Sequence, residues 1–260
     1  MSPSEIIALS VAALLAGAMN AMAGGGTVLT FPALLFFGMP AIEANATSAT
    51  ALVVGTIGSI FGYRRHVPAV KPLLTRLSLV TAIGSLLGAM LLKVTNEETF
   101  NHLVPFLLLF ATVLFLANNA FRRFLRIQAA QHAHEILAGR RFWLATGFQF
   151  FVAIYGGYFG AGIGILMLAS LGLLGMQNIH ESNTVKSVLS ALINLVASTY
   201  FIFAGLVIWP QAIVMTVAAT LGYFLAAHYS QRISQDAVRA IAGAIGLGVS
   251  ALMVWKQFFA

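Results

Sequence analysis

Cysteine is missing from all 260 residues. Its absence excludes disulfides, thiolate metal sites and cysteine catalysis, and says nothing about compartment. Charge is nearly as scarce. Asp, Glu, Lys and Arg make up 8% of the chain, where a soluble domain carries about 25%. Aspartate occurs once, at Asp236. There is no His-Glu-x-x-His site, no Gly-x-Ser-x-Gly elbow and no intramembrane aspartate pair, so nothing in the chain argues for a membrane enzyme. No nucleotide-binding motif is present. ATP-driven transport by this chain alone is therefore not expected, and neither is a cofactor.

What is present is apolar. The chain is 60% hydrophobic with a mean hydropathy of +0.92. No soluble architecture of this length hides so much apolar surface. The composition predicts an all-α, multi-pass membrane protein with lipids as its solvent. One spanning helix takes about 20 apolar residues, so the length holds roughly eight. The net charge of +7 does not point to nucleic acid, because the basic residues sit between apolar segments, where the positive-inside rule places them. The stretches 64–76 and 121–141 read as basic loops separated by two spans, so they share a side, assigned to the cytoplasm. The N-terminal apolar stretch ends in Ala21-Met22-Ala23 like a signal peptide. Its first residues hold Glu5 and no Lys or Arg, the wrong polarity for one.

Two stretches organise the rest. Gly24-Gly25-Gly26-Thr27 interrupts the first apolar segment, and an apolar dozen, too short to span, follows before Gly38-Met39-Pro40. Gly160-Ala161-Gly162-Ile163-Gly164 repeats the plan before Gly175-Met176. At an offset of 137, Gly25, Leu29, Leu34, Gly38, Met39, Ile42 and Thr47 fall on Gly162, Leu166, Leu171, Gly175, Met176, Ile179 and Thr184. Self-similarity at a fixed offset marks internal duplication. The chain divides into a first transmembrane repeat, 1–120, a basic linker, 121–141, and a second repeat, 142–260. Each repeat is expected to hold four spans, with a broken helix or a re-entrant half-helix. Whether the repeats run parallel or inverted stays open.

An unwound stretch inside a membrane survives only where it is buried or lines a watery cavity. Amides freed at Gly24, Gly25, Gly26 and Thr27, and at Gly160, Gly162 and Gly164, can face a ligand. The short helices behind them present partly positive N-termini to the same point, which suits an anion. The alternative is that these glycines only allow close helix packing. A polar cluster opens the next helix of each half: Glu43, Asn45, Thr47 and Ser48, then His180, Glu181, Ser182, Asn183, Thr184, Lys186 and Ser187. Helix capping accounts for some of these residues. Asn45, Thr47, Ser48, Ser182, Asn183 and Thr184 lie further in and are candidate ligand-lining residues. Lys186 is the one Lys or Arg within the apolar body. It can neutralise a bound anion or snorkel to the interface. Glu43, His180 and Glu181 are candidates for proton coupling. Asn20, Gln149, Tyr155 and Asn194 read as helix–helix hydrogen bonds. His132 and His134, two apart, do not share a helix face and read as solvated rather than as a metal site.

Together these residues resemble the TauE/SafE family of membrane proteins, also grouped as sulfonate-uptake permeases. Its carriers here are Gly24-Gly25-Gly26 with Phe31-Pro32, Gly38-Met39-Pro40 with Ala44-Asn45-Ala46-Thr47, and the echo at Gly160 to Gly164 with Ser182 to Lys186. The resemblance covers nearly the whole chain. It implies a secondary transporter of the bacterial inner membrane for sulfur-containing anions such as sulfite, sulfoacetate or other sulfonates. Import or export, the coupling ion and any homo-oligomer stay open. A passive anion channel and an assembly subunit are the competing readings.

Overall fold

The computed structural model describes residues 1–22, 25–129, 139–174, 176, 178–229 and 235–258. The described residues form ten α-helices. In order these are α1 (Pro3–Met22), α2 (Thr27–Phe36), α3 (Ala41–Tyr63), α4 (Val67–Val94) and α5 (Glu97–Ala129), then α6 (Gly139–Tyr158), α7 (Ile163–Leu173), α8 (Ile179–Phe203), α9 (Trp209–Tyr229) and α10 (Gln235–Phe258). Helices are what long Ala-, Leu- and Ile-rich runs must form in lipid, because a helix pairs its backbone groups internally.

Among the described residues, four segments are long and apolar enough to cross a membrane: Pro3–Ala21, Arg64–Val94, His180–Phe203 and Trp209–Ala226. α3, α5, α6 and α10 are each at least 20 residues long. α3 opens with Glu43, Asn45, Thr47 and Ser48, and α5 ends in Arg122, Arg123 and Arg126.

Two expected loops prove to be helical in part among the described residues. In 64–76 only Arg64–His66 forms a connecting 3-10 turn, and α4 starts at Val67. Pro68 sits in its first turn, where a missing N–H is harmless. Lys71 and Arg76 therefore ride on the helix. α5 runs to Ala129, so the expected linker is helical at its start. His132 and His134 lie outside the described residues.

α1 packs along α9, and α4 along α6. α3 touches both α8 and α9, and α4 touches α8, which puts α3 and α8 in the middle. α5 packs on α10 and α7, and α10 on α2. Outward faces are apolar, as on α9 with Ile213, Val217, Leu221 and Phe224 exposed. Lipid-facing surface needs no polar cover.

Glycine sets how closely the two outer pairs approach. A Cβ on Gly17 of α1 would clash with the Ala219 carbonyl of α9, and one on Gly222 of α9 with the Leu14 carbonyl of α1. In the other pair, Gly88 of α4 meets the Ile154 carbonyl of α6, and Gly157 of α6 meets the Ser85 carbonyl of α4. Lipid tails are as apolar as leucine, so helix association here depends on such close backbone packing. Replacing Gly88 or Gly222 with Val should destabilise the protein by about 1–3 kcal/mol or more, read as a lower melting temperature in detergent. Gly147, with open space beside it, should tolerate alanine with no loss.

Candidate functional site

Both glycine stretches break the helix. After α1, Gly25 takes φ +92°, a left-handed value that favours glycine. The chain turns back on α1, because a Cβ on Gly26 would lie 2.6 Å from the Ala16 carbonyl oxygen. After α6, Gly160 and Gly162 take φ +80° and +78°. α2 and α7, of 10 and 11 residues, start directly behind these breaks.

A polar side chain six residues upstream latches each break. The Gly26 N–H donates to Asn20 Oδ1 at 2.7 Å. The Tyr155 hydroxyl donates to the Ala161 carbonyl at 2.8 Å. A third latch crosses between halves: Asn45 Nδ2 donates to the Tyr158 carbonyl, at the end of α6, at 2.9 Å. The breaks also meet through aromatic rings, Phe31 of α2 packing edge-on against Phe159 with centroids 5.4 Å apart.

One cavity opens between the breaks. Gly25 and Thr27 line it from the first, and Phe159, Gly160, Ile163 and Gly164 from the second. α3 contributes Ala49, Leu52 and Thr56, and α8 contributes Lys186, Ser187, Ser190 and Asn194. Asn20 and Tyr223 complete its polar wall. Thr56 is the hub of that wall. Its hydroxyl pairs with the Tyr223 hydroxyl at 2.9 Å, and Asn194 Nδ2 donates to it at 3.4 Å. Thr27 and Ser187 are buried and face the cavity.

Of the candidates from sequence, Gly25, Thr27, Gly160, Gly164 and Lys186 meet at this cavity. Gly24 lies outside the described residues. Gly26 donates its N–H to Asn20, and Gly162 caps α7 beside Ala111 of α5. Apart from Lys186 and Ser187, the polar residues at the starts of α3 and α8 lie outside the lining, and several bond to the fold. Thr47 Oγ1 accepts from the Ile208 N–H ahead of α9 at 3.0 Å. Ser48 pairs with Thr30 of α2 at 2.6 Å. Thr184 donates to the His180 carbonyl of its own helix. Ser182 is buried and Asn183 half-buried, and neither lines the cavity. Glu181 accepts from Asn178, whose Oδ1 caps α8. α3 has no side-chain cap of its own, and the Glu97 carboxylate of α5 accepts its Ala41 N–H instead. Glu43 is half-buried outside the lining, and the exposed His180 stacks on His66 with centroids 5.4 Å apart.

Thr56, Ser190 and Tyr223 line the cavity without a mention from sequence, and Ser187 was named only as part of the polar cluster opening α8. Periodicity carried a signal for three of them. Lys186, Ser190 and Asn194 recur every four residues on α8, with Ser187 beside them, and Ala49, Leu52 and Thr56 follow at steps of three and four on α3. Tyr223 carried no comparable mark. Gln149 donates to Thr81 across the α6–α4 pair, as read for a helix–helix bond.

Among the described residues, membrane-length helices surround a cavity walled by two broken ones, an arrangement that suits a membrane transporter. A family model described as Sulfite exporter TauE/SafE matches residues 9–253, and the chain belongs to that family. It is 28% identical to the Haemophilus influenzae "Probable membrane transporter protein" over 92% of this chain and 90% of the relative. It is 28% identical to the Escherichia coli (strain K12) "Probable membrane transporter protein YfcA" over 100% of this chain and 91% of the relative. A Sinorhizobium "Probable membrane transporter protein ORF9" is 26% identical over 85% and 82% of the two chains. No solved structure matches the chain.

The latches make the breaks testable. Asn20→Ala strands the Gly26 N–H, and Tyr155→Phe strands the Ala161 carbonyl. Each should cost about 1–3 kcal/mol, the penalty for an unpaired backbone group, and lower the melting temperature accordingly.

Proposed function

We propose that the protein is a secondary transporter of the inner membrane that binds a small sulfur-containing anion, such as sulfite or a sulfonate, between its two broken helices. The observation that carries the reading is the cavity itself. Two helix N-termini, the Lys186 side chain and the buried hydroxyls of Thr27 and Ser187 converge on it. Oriented amides and dipoles bind an anion while adding little formal charge to the membrane interior. Sulfur enters from the family description alone. The other nominated residues, Asn45, Thr47, Ser48, Ser182, Asn183 and Thr184, hold the surrounding helices or stand one layer back from the cargo.

Helix packing supports a two-repeat plan of four spans each. Exchanging α1 to α5 with α6 to α10 turns the α1–α9 contact into α6–α4 and α3–α9 into α8–α4. It turns α5–α7 into α10–α2, and it maps α3–α8 and α5–α10 onto themselves. A binding site at the midplane between related halves, formed by discontinuous helices, is the design such transporters share. In this reading the Arg64–His66 turn and the basic end of α5 face the cytoplasm.

The test is a melting screen of purified protein against sulfite, methanesulfonate, sulfate and acetate. A sulfur oxyanion at about 100 times its dissociation constant should add about 2.7 kcal/mol of stability. Lys186→Met should weaken that anion's binding about tenfold or more, while Asn45→Ala should act mainly on stability. No stabilisation by any anion overturns the reading.

Proton coupling through Glu43, Glu181 and His180 belongs to the same proposal, since carboxylates and histidines form relays in transporters. Collapsing the pH gradient across proteoliposomes should slow uptake, and His180→Ala should remove that dependence. Uptake indifferent to the gradient removes coupling from the proposal.

A further inference from the structure

We infer that the two halves are inverted in the membrane, and that each opens with a helical hairpin that enters and leaves by one face, α1–α2 by one face and α6–α7 by the other. This extends the two-repeat plan above and holds for any cargo. Contacts along each pair of helices give their relative directions. Between α3 and α8 the residue numbers run oppositely: Thr56 meets Asn194, while His66, just past α3, stacks on His180 in the first turn of α8. They run oppositely between α5 and α10 too, with Thr112 against Gly246 and Leu116 against Gly243. Numbers rise together along α1 and α9, from Glu5 with Gln211 to Ala18 with Gly222. They rise together along α4 and α6, from Thr81 with Gln149 to Ser85 with Gly157. α3 runs with α9, through Thr47 with Ile208 and Thr56 with Tyr223. α4 runs with α8, from the His66–His180 stack at their starts to Ser85 with Ile193. A tight turn at Thr95 and Asn96 sets α5 against α4. So α1, α3, α5 and α9 point one way, and α4, α6, α8 and α10 the other. Each opposes its counterpart in the other half: α1 and α6, α3 and α8, α4 and α9, α5 and α10. A twofold axis in the membrane plane produces that relation, whereas parallel repeats would run with their counterparts.

α1 and α6 are of spanning length, but the half-length helices behind them turn back. Gly26 lies against Ala16 and Asn20 of α1, and Thr30 of α2 pairs with Ser48 of α3 across the short connection 37–40. α2 thus returns to the face where α1 and α3 begin. In the second half a Cβ on Gly156 would meet Ile163, and Ser170 donates to the Ala145 carbonyl. α7 therefore runs back along α6 to the face where α8 begins. The end of α1 stops inside the membrane. Asn20 shares the cavity with Thr56, and Thr56 stands about 10 Å short of the end of α3 at 1.5 Å per residue. Of the membrane-length helices in each half, α3 to α5 and α8 to α10 carry the chain across. That number is odd, so the second half starts on the face opposite the first, as inversion requires. The Arg64–His66 turn and the basic end of α5 then share one face, and the start of α1 lies on the other. A solute held between Gly25 and Gly160 has one hairpin toward each face. One face can then open while the other stays shut, as alternating access needs.

Because the chain has no cysteine, single-cysteine labelling of the full chain in spheroplasts reads the faces directly. A membrane-impermeant maleimide is applied first and a permeant fluorescent one second. Ser2→Cys and Asn96→Cys, both at exposed positions, should lose their fluorescence to the impermeant reagent. Arg65→Cys and Asn178→Cys, at exposed positions as well, should keep it. Asn178 caps α8, so His180→Cys reports the same face if that variant unfolds. Labelling as the same two sets from exchanged faces upholds inversion and overturns only the cytoplasmic assignment. Ser2 grouping with Arg65, or Asn178 with Asn96, means that α1–α2 or α6–α7 crosses as a whole, and overturns the inference. The anion screen does not depend on either result, so the anion-carrier reading stands or falls separately.

Discussion

Four glycines bring backbones together where the two halves meet. Gly17 and Gly222 seat α1 on α9, while Gly88 and Gly157 seat α4 on α6. In water, apolar side chains would drive such pairs together by leaving solvent. In lipid that drive vanishes, and what remains is dispersion between surfaces close enough to touch along their length. Each glycine lets a helix come to within contact of a carbonyl on its partner. The two seams hold α1 and α6, the helices that run into the breaks, against α9 and α4. They thereby fix where the breaks lie relative to α3 and α8. The cavity depends on that placement more than on any single lining residue.

The breaks expose backbone that a membrane does not forgive. Unpaired amides and carbonyls in hydrocarbon cost several kcal/mol each. Asn20, Tyr155 and Asn45 each satisfy one such group. Tertiary cover does the rest, with Phe31 and Phe159 fully packed between the breaks. The division of labour follows from reach. Asn20 and Tyr155 stand six residues ahead of their targets, on the helix that has just ended. Asn45 reaches across from α3 and ties one half's break to the other half's central helix.

Much of this was legible from residues in a row. Glycine-rich stretches inside apolar segments placed both breaks to within a few residues, because helix propensity and lipid leave few other conformations. The half-length pieces behind them appear as α2 and α7. Residues in a row carried less about which side of a helix faces the cavity. Asn45, Thr47, Ser48 and Thr184 look like ligands in a linear reading, since each is a polar residue in an apolar run. Three-dimensionally, Thr47, Ser48 and Thr184 each spend a hydrogen bond on the fold, and Asn45 spends its amide donor there while its buried Oδ1 finds no partner among the described residues. Tyr223 lines the cavity from α9 and sits alone among apolar neighbours in sequence. Loop boundaries failed for a different reason. Basic residues mark a membrane face and carry no information against helix, so Lys71, Arg76 and the arginines of α5 extend helices instead of ending them.

Under the anion-carrier reading proposed above, the sparseness of charge has a mechanistic consequence. A carrier must hold its cargo long enough to change orientation and then release it. A cluster of cations would bind an anion tightly in a low-dielectric cavity and retain it, and the empty site would be expensive to keep inside the membrane. One lysine with neutral hydroxyls, amides and helix termini avoids both extremes. Its aliphatic stem lies against Gly164, so part of its desolvation is offset by packing. The dipolar groups are fixed by the fold and need no reorganisation when the anion arrives. Because their contribution falls off within about one helical turn, a small displacement of either broken helix is enough to weaken the site. In that reading the interruption that creates the binding surface is also the element whose movement would release the anion.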